Sequence, residues 1–402
     1  MSQTPFNRRH FIRLASAAAV LSTTSLASSR LLAATTPSAS SMTTTAQAAN
    51  FVYVGSRTTR ERNARGAGIT VYQYDAETGQ AKLIQTVENL VNPSFLCFDR
   101  EQKFLFCVHG DQQEISALAI DGNTGQLSKI NTISCEGRNP VHLSVDPTNR
   151  FLAIANYATG AIALIPFGAD GKLAAVADLQ KLPGEPGPHR IEQASSHPHM
   201  IPFDPLGRHV VVPDKGLDAV FVYRVETTTD KPSLVQTSVV KTRESAGPRH
   251  VVFAPESRPF AYVVNELDST VTAYRYDGES GALVAIQVLP TLPDDFTGSS
   301  RAAAIVIAPD GETLYVSNRG HDSIAIFSVD SKSGRLQAVG YQASGGRKPR
   351  FMTISPDGRF VFAANEDSDN IQRLNVIPEG RLDIPKVAIN TGSPVCMIFK
   401  TA

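Results

Sequence analysis

KPRFMTISPDGRFVFAAN, residues 348–365, reads as one β-hairpin: two apolar runs joined by Ser-Pro-Asp-Gly. Pro, Asp and Gly at the centre are the residues a tight turn selects. The run before the turn is introduced by proline, and the run after it ends on a polar residue. Moving outward in both directions, the same unit returns. The turn recurs as DPTNR (146–150), DPLGR (204–208), APESR (254–258) and APDGE (308–312). Before it stand NPSFLCF (92–98), NPVHLSV (139–145), HPHMIPF (197–203), GPRHVVF (247–253) and RAAAIVI (301–307). After it stand LFCVH, LAIAN, VVVP, AYVVN and LYVSN, ending at His109, Asn156, Pro213, Asn265 and Asn318.

We call the proline-led strand A and the strand after the turn B. The first B, FVYVG (51–55), has no A before it, and the last A, SPVCMIF (393–399), has no B after it. Successive B ends are 54, 47, 57, 52, 53 and 47 residues apart, the length of a four-stranded propeller blade. Outer strands follow each B, marked by turns such as YDAETG (74–79), IDGNTG (120–125), YDGESG (276–281) and VDSKSG (329–334). The orphan B and the orphan A can pair only with each other, which closes a ring and removes the free edges of an open sheet. The expected fold is therefore all-β, a seven-bladed β-propeller over residues 50–402, closed by pairing the N-terminal strand with the C-terminal one. The chain holds no Trp, so it is not a WD-type propeller.

Composition excludes other classes. Lys+Arg and Asp+Glu are equal at 38 each, which is no footprint for nucleic acid. Residues 1–49 carry Arg8, Arg9, Arg13 and Arg30 and no acid, leaving 34 basic against 38 acidic residues beyond them. Asn7-Arg8-Arg9-His10-Phe11-Ile12-Arg13 has the form of a twin-arginine export signal. The segment behind it, LASAAAVLSTTSLA, is too short and too rich in Ser and Thr to span a bilayer. Residues 1–34 are thus expected to be a signal peptide, with cleavage near Ala34 or as late as Ala48, and 35–49 an Ala/Ser/Thr-rich linker. The expected location is the periplasm or beyond, with no membrane attachment once the leader is removed. Cys97, Cys107, Cys135 and Cys396 show no CxxC spacing, and buried thiols are favoured over two disulfides.

Because A and B are antiparallel, the starts of A and the ends of B share the face opposite the DPxGR turns. From the A starts this face collects Asn139, His197, His199, Arg249, His250, Arg301 and Arg350. From the B ends it collects Arg57, His109, Asn156, Tyr157, Asp214, Asn265, Glu266, Asn318, Arg319, His321, Asn365 and Glu366. Ionisable groups of both signs at one mouth of a channel mark a small-molecule site. The asparagines repeat from blade to blade, so they either bind substrate hydroxyls or hold their own loops. Arg249, Glu266 and Arg319 do not repeat, which points to chemistry. His197 and His199 alternate across Pro198, but no spacing supplies further metal ligands.

SHPH (196–199), VPDKGLDAVFVY (212–223), GPRHVVF (247–253), YVVNELDSTV (262–271), LYVSNRGHDSIAIF (314–327) and FAANEDSDNI (362–371) resemble the seven-bladed lactonase family. That family includes propeller-type 6-phosphogluconolactonases and fungal carboxy-muconate cyclases, and the resemblance covers roughly residues 51–400. It implies a site built from His197 or His199, Arg249, Glu266 and Arg319. Two departures stand out: Ala304 where some relatives carry Glu, and Lys215 in VPDKG.

The implied activity is opening of a sugar-acid lactone. Glu266, or a histidine of the SHPH pair, would be the general base. Arg249 and Arg319 would stabilise the oxyanion and an anionic substrate. His250, Asn156, Asp214, Asn318, Arg350, Asn365 and Glu366 would bind substrate. No cofactor and no metal is called for, though Asp214, Glu266 and Glu366 are the acids a hard cation would use. The competing readings are a lactonising cycloisomerase and a non-catalytic binding propeller.

Overall fold

A computed structural model describes residues 49–226, 232–255 and 258–401. The twin-arginine segment and residues 35–48 of the linker lie outside the described residues. The described strands form seven antiparallel sheets. Six of these run in chain order. The seventh has the order Pro394–Thr401, Ala49–Ser56, Ile69–Asp75, Gln80–Val87. Val52 pairs with Phe399, Val54 with Met397 and Gly55 with Cys396, so the two orphan strands do close the ring.

Apolar side chains between neighbouring sheets make the core. One such layer joins Val141, Ala153 and Ile162 to Val210, Val212 and Phe221 of the next sheet. At the turn face, buried Asp146 accepts from the backbone N–H groups of Arg150 and Phe151, both at 2.7 Å. The same Asp bond appears at Asp99 and Asp204, which is why Asp recurs in those turns. All four cysteines are unbridged, and three of them are fully buried.

One expected strand is missing. Residues 197–203 touch the strand His209–Asp214 only through isolated bridges at Pro198–Asp214 and Phe203–Val210. Pro202 in this segment and Pro213 opposite it each remove a ladder donor, so that A segment does not pair regularly.

The remaining A strands share an irregularity that builds the site. Pro93 pairs with His109 and Phe95 with Val108, leaving Ser94 as an extra residue. The register slips in the same way at Val141, Arg249 and Arg350. It also slips at Val395 in the closing sheet, and at Ala303–Ala304 between the Ala302 and Ile305 pairs. A β-bulge re-aims the extra side chain. Repeated in six of the seven blades, it leaves an extra residue of each A strand outside the ladder.

Candidate active site

Those bulged residues meet at the channel. Ser94, Val141, Arg249, Arg350 and Val395 line a small chamber of about 20 Å³, together with His199, His250, Arg57, Phe95 and Phe351. Above it lies a cavity of about 200 Å³ lined by Arg57, Arg62, Asn139, Tyr157, Glu192, Lys215 and Glu266. Arg57, Val141, His199 and Arg350 line both, so the two spaces share a wall.

The B strands supply the rest, through the residue just past each strand's polar end. Proline partners fix that end: Ser56, His109, Asn156, Asn265 and Asn365 each face the proline of their A strand. The isolated bridge puts Asp214 opposite Pro198 in the same way. The next residues are Arg57, Gly110, Tyr157, Lys215, Glu266 and Glu366, with Arg319 following Asn318. Gly110 is required there: a Cβ would sit 2.4 Å from the Arg57 guanidinium and 2.7 Å from Ser94 Oγ.

Glu266 is the hub. Its Oε2 lies 2.9 Å from Arg249 Nε and 3.0 Å from an Arg319 guanidinium nitrogen. Its Oε1 accepts from Lys215 Nζ at 3.0 Å. Burial alone would raise its pKa, but Arg319, Lys215 and Arg249 outweigh that and hold it well below the usual carboxylate range. Both carboxylate oxygens are thereby engaged by cations. Glu266 therefore anchors cations, and the expectation that it is the base does not suit its setting.

His199 differs in having an unengaged nitrogen. Its Nδ1 is buried with no hydrogen-bond partner among the described residues, and its ring packs against His250 at 5.2 Å and Tyr157 at 5.6 Å. Burial, reinforced by Arg249, pushes its pKa well below the ordinary histidine value, so it stays neutral. His197 does not line the cavity. It stacks on Tyr157 with ring centroids 4.4 Å apart, which makes it a support for that side chain. His250 lies below, beside a guanidinium nitrogen of Arg249 at 3.2 Å from its Nε2, and burial keeps it neutral too.

Two cations face the cavity without close anions. Arg57 comes no nearer than 3.9 Å to Asp111, and its Nε has no hydrogen-bond partner among the described residues. Burial, then Arg350 and Arg62, lower its pKa to about 9, so it remains charged at neutral pH. Arg350 feels Glu366 only at longer range. Glu366 itself pairs with Lys348 at 3.3 Å and does not reach the cavity wall.

The structure corrects the asparagines and Asp214. Asn318 donates to the Thr291 carbonyl at 2.6 Å and accepts from Thr291 Oγ1 at 2.7 Å. Asn365 donates to the Ser344 carbonyl at 3.2 Å, and Asn156 accepts from the Cys135 thiol at 3.1 Å. Asp214 accepts from the backbone of His197, Gly216 and Leu217 at 2.8–3.0 Å. These four side chains are fully buried and hold their own blades, so they are not brought to the substrate. Ala304 packs in the core with Tyr315 and Met352, which leaves no acid at that position of the site.

The expectation also missed residues. Glu192 stands in the loop between the strands Asp178–Lys181 and His209–Asp214, where the longest B-to-B interval of 57 residues already marked an insertion. Arg62 lies in the loop after the first B strand, on a 3₁₀ turn Arg60–Arg62, and pairs with Asp111.

Comparison with known proteins identifies relatives along almost the whole propeller. The profile of the family described as Lactonase, 7-bladed beta-propeller, matches residues 51–399. The 6-phosphogluconolactonase of Bacillus subtilis is 32% identical over 352 residues, 86% of this chain and 97% of that protein. That of Formosa agariphila is 31% identical over 358 residues, covering 87% and 99%. Among solved structures, the Pseudomonas aeruginosa periplasmic gluconolactonase is 31% identical with a TM-score of 0.80, over 88% of this chain and 99% of that one. With a profile match across the propeller and relatives of this identity aligned nearly end to end, the chain belongs to the seven-bladed β-propeller lactonase family, and it is a lactonase.

Proposed function

We propose that this lactonase opens a sugar-acid lactone with His199 as general base and Arg350 and Arg57 as the groups that stabilise the oxyanion. The observation carrying this is one shared wall. Neutral His199, whose buried Nδ1 is unpartnered, and two guanidiniums without close anions line the same space of about 200 Å³. That is below the roughly 300 Å³ at which drug-sized pockets begin, and suits a single sugar ring.

In the proposed reaction a water loses its proton to His199 Nδ1 as its oxygen bonds to the lactone carbonyl carbon. The carbonyl π electrons move onto oxygen, where Arg350 and Arg57 meet the developing charge in a site screened from bulk water. Collapse of the intermediate breaks the ring C–O bond, and the proton passes from the imidazolium to the departing ring oxygen. The product is the open hydroxy acid, its carboxylate held by the same guanidiniums. Glu266 keeps Arg249, Arg319 and Lys215 in place around this centre. No step needs a metal.

The twin-arginine leader supports a periplasmic site of action for this reading. The test is hydrolysis of δ-gluconolactone and 6-phosphogluconolactone by the purified protein, followed by acid release above the spontaneous rate. Loss of one oxyanion contact predicts that Arg350→Ala lowers kcat about 100- to 1,000-fold. Turnover of neither lactone would reject the reading, and conversion of a muconate to its lactone would favour the cycloisomerase.

A further inference from the structure

Glu192 closes one end of the cavity. Its Oε2 lies 2.6 Å from Lys215 Nζ and its Oε1 2.5 Å from an Arg301 guanidinium nitrogen. Lys215 Nζ also donates to Tyr157 Oη at 3.1 Å and to Glu266. Both of these cations are thus closely paired with carboxylates of the chain itself, whereas Arg57 comes no nearer than 3.9 Å to Asp111 and Arg350 feels Glu366 only at longer range.

The carboxylate is held there by a fastened loop. Gln193 is buried; its side chain donates to the Lys215 carbonyl at 2.9 Å and accepts from His189 N–H at 3.1 Å. Gly187 N–H donates to the Gly216 carbonyl at 2.8 Å, and a Cβ on Gly187 would come within 2.4 Å of Gln193. Tied at both ends to the Lys215–Gly216 turn, the loop positions Glu192 against Lys215 as a fixed part of the wall.

Polarity follows for a bound lactone. With the carbonyl beside His199, Arg57 and Arg350, the rest of the sugar meets the remaining lining groups, Glu192 and Lys215 among them. A phosphate there would find its two cations taken and an anion facing it. A hydroxyl would find a carboxylate that accepts its hydrogen bond and an ammonium that donates one.

We propose that Glu192 is the specificity-determining residue of the site, directing it to unphosphorylated aldonolactones by occupying Lys215 and Arg301 against a substrate phosphate. This rests on the lactone-hydrolysis reading above, and it would explain an exported enzyme working on neutral sugar lactones.

The experiment compares wild type and Glu192→Gln on δ-gluconolactone and 6-phosphogluconolactone, with binding of gluconate and 6-phosphogluconate measured by calorimetry. Wild type is expected to favour the unphosphorylated pair. Glu192→Gln, of nearly the same shape, is expected to gain about tenfold or more toward the phosphorylated pair and to lose several-fold toward the other. Adding Arg301→Ala should remove much of that gain, because the freed guanidinium is what the phosphate uses. A wild-type preference for the phosphorylated compounds, or an equal change toward both in Glu192→Gln, would overturn the proposal. Should neither lactone turn over while the binding preference still shifts as expected, hydrolysis fails and the role of Glu192 stands.

Discussion

Two rings of residues circle the same mouth of the channel, one position apart on the same strands. The first is Ser56, His109, Asn156, Asp214, Asn265, Asn318 and Asn365. The second is Arg57, Gly110, Tyr157, Lys215, Glu266, Arg319 and Glu366. In the first ring chemistry repeats, and the bonds are internal: His109 to Ser116 Oγ at 2.7 Å, Asn265 to Thr270 and Thr272 at 2.8 and 3.0 Å. In the second ring no residue type dominates, Arg and Glu each occurring twice, and Arg57, Tyr157, Lys215 and Glu266 line the cavity. Successive side chains of an extended strand point to opposite sides, so one step separates holding the blade from facing the ligand. What every blade needs is the same in every blade; what the substrate needs is asymmetric.

The sharpest way to break this contrast is at Glu266. Removing it leaves three buried cations without their common partner, so Glu266→Ala should lose about 3–5 kcal/mol of stability, read from urea unfolding. Lactone turnover should vanish with it. Retained stability would show that Arg249, Arg319 and Lys215 do not depend on that carboxylate.

In the first ring a smaller and different effect is expected. Asn318→Ala removes the donor to the buried Thr291 carbonyl, costing about 1–3 kcal/mol. The kcat/KM of the folded protein should stay within about twofold of wild type. A large fall in kcat/KM at unchanged stability would move Asn318 into the second ring and undo the comparison.

Much of this was legible in the sequence, and the reason is repetition. The proline, the turn and the polar strand end recur at blade spacing, so the ring, its closure and the face bearing His199, Arg249, Glu266 and Arg319 follow from pattern alone. Three features did not. The bulge after each proline is a register event, and a one-residue slip leaves no mark on composition. The asparagines were ambiguous because a polar strand end looks the same whether it faces a neighbour or a ligand. Glu192 lies in an insertion outside the repeat, where pattern has nothing to say. Its place depends on Gln193 and Gly187 fastening the loop.

His199 tests the central claim most directly, because it is the neutral side chain that brings an unpartnered buried nitrogen to the shared wall of the two spaces. The measurement is kcat/KM against pH for wild type and His199→Ala, with folding of both checked by circular dichroism. A base must be unprotonated to act, and burial lowers the pKa of this one, so wild-type activity should hold level as pH falls through 6.5 and decline only below it. His199→Ala should lose about 100- to 10,000-fold at pH 7 with its fold intact. A folded His199→Ala enzyme within threefold of wild type, or a wild-type decline centred at or above 6.5, would contradict the account.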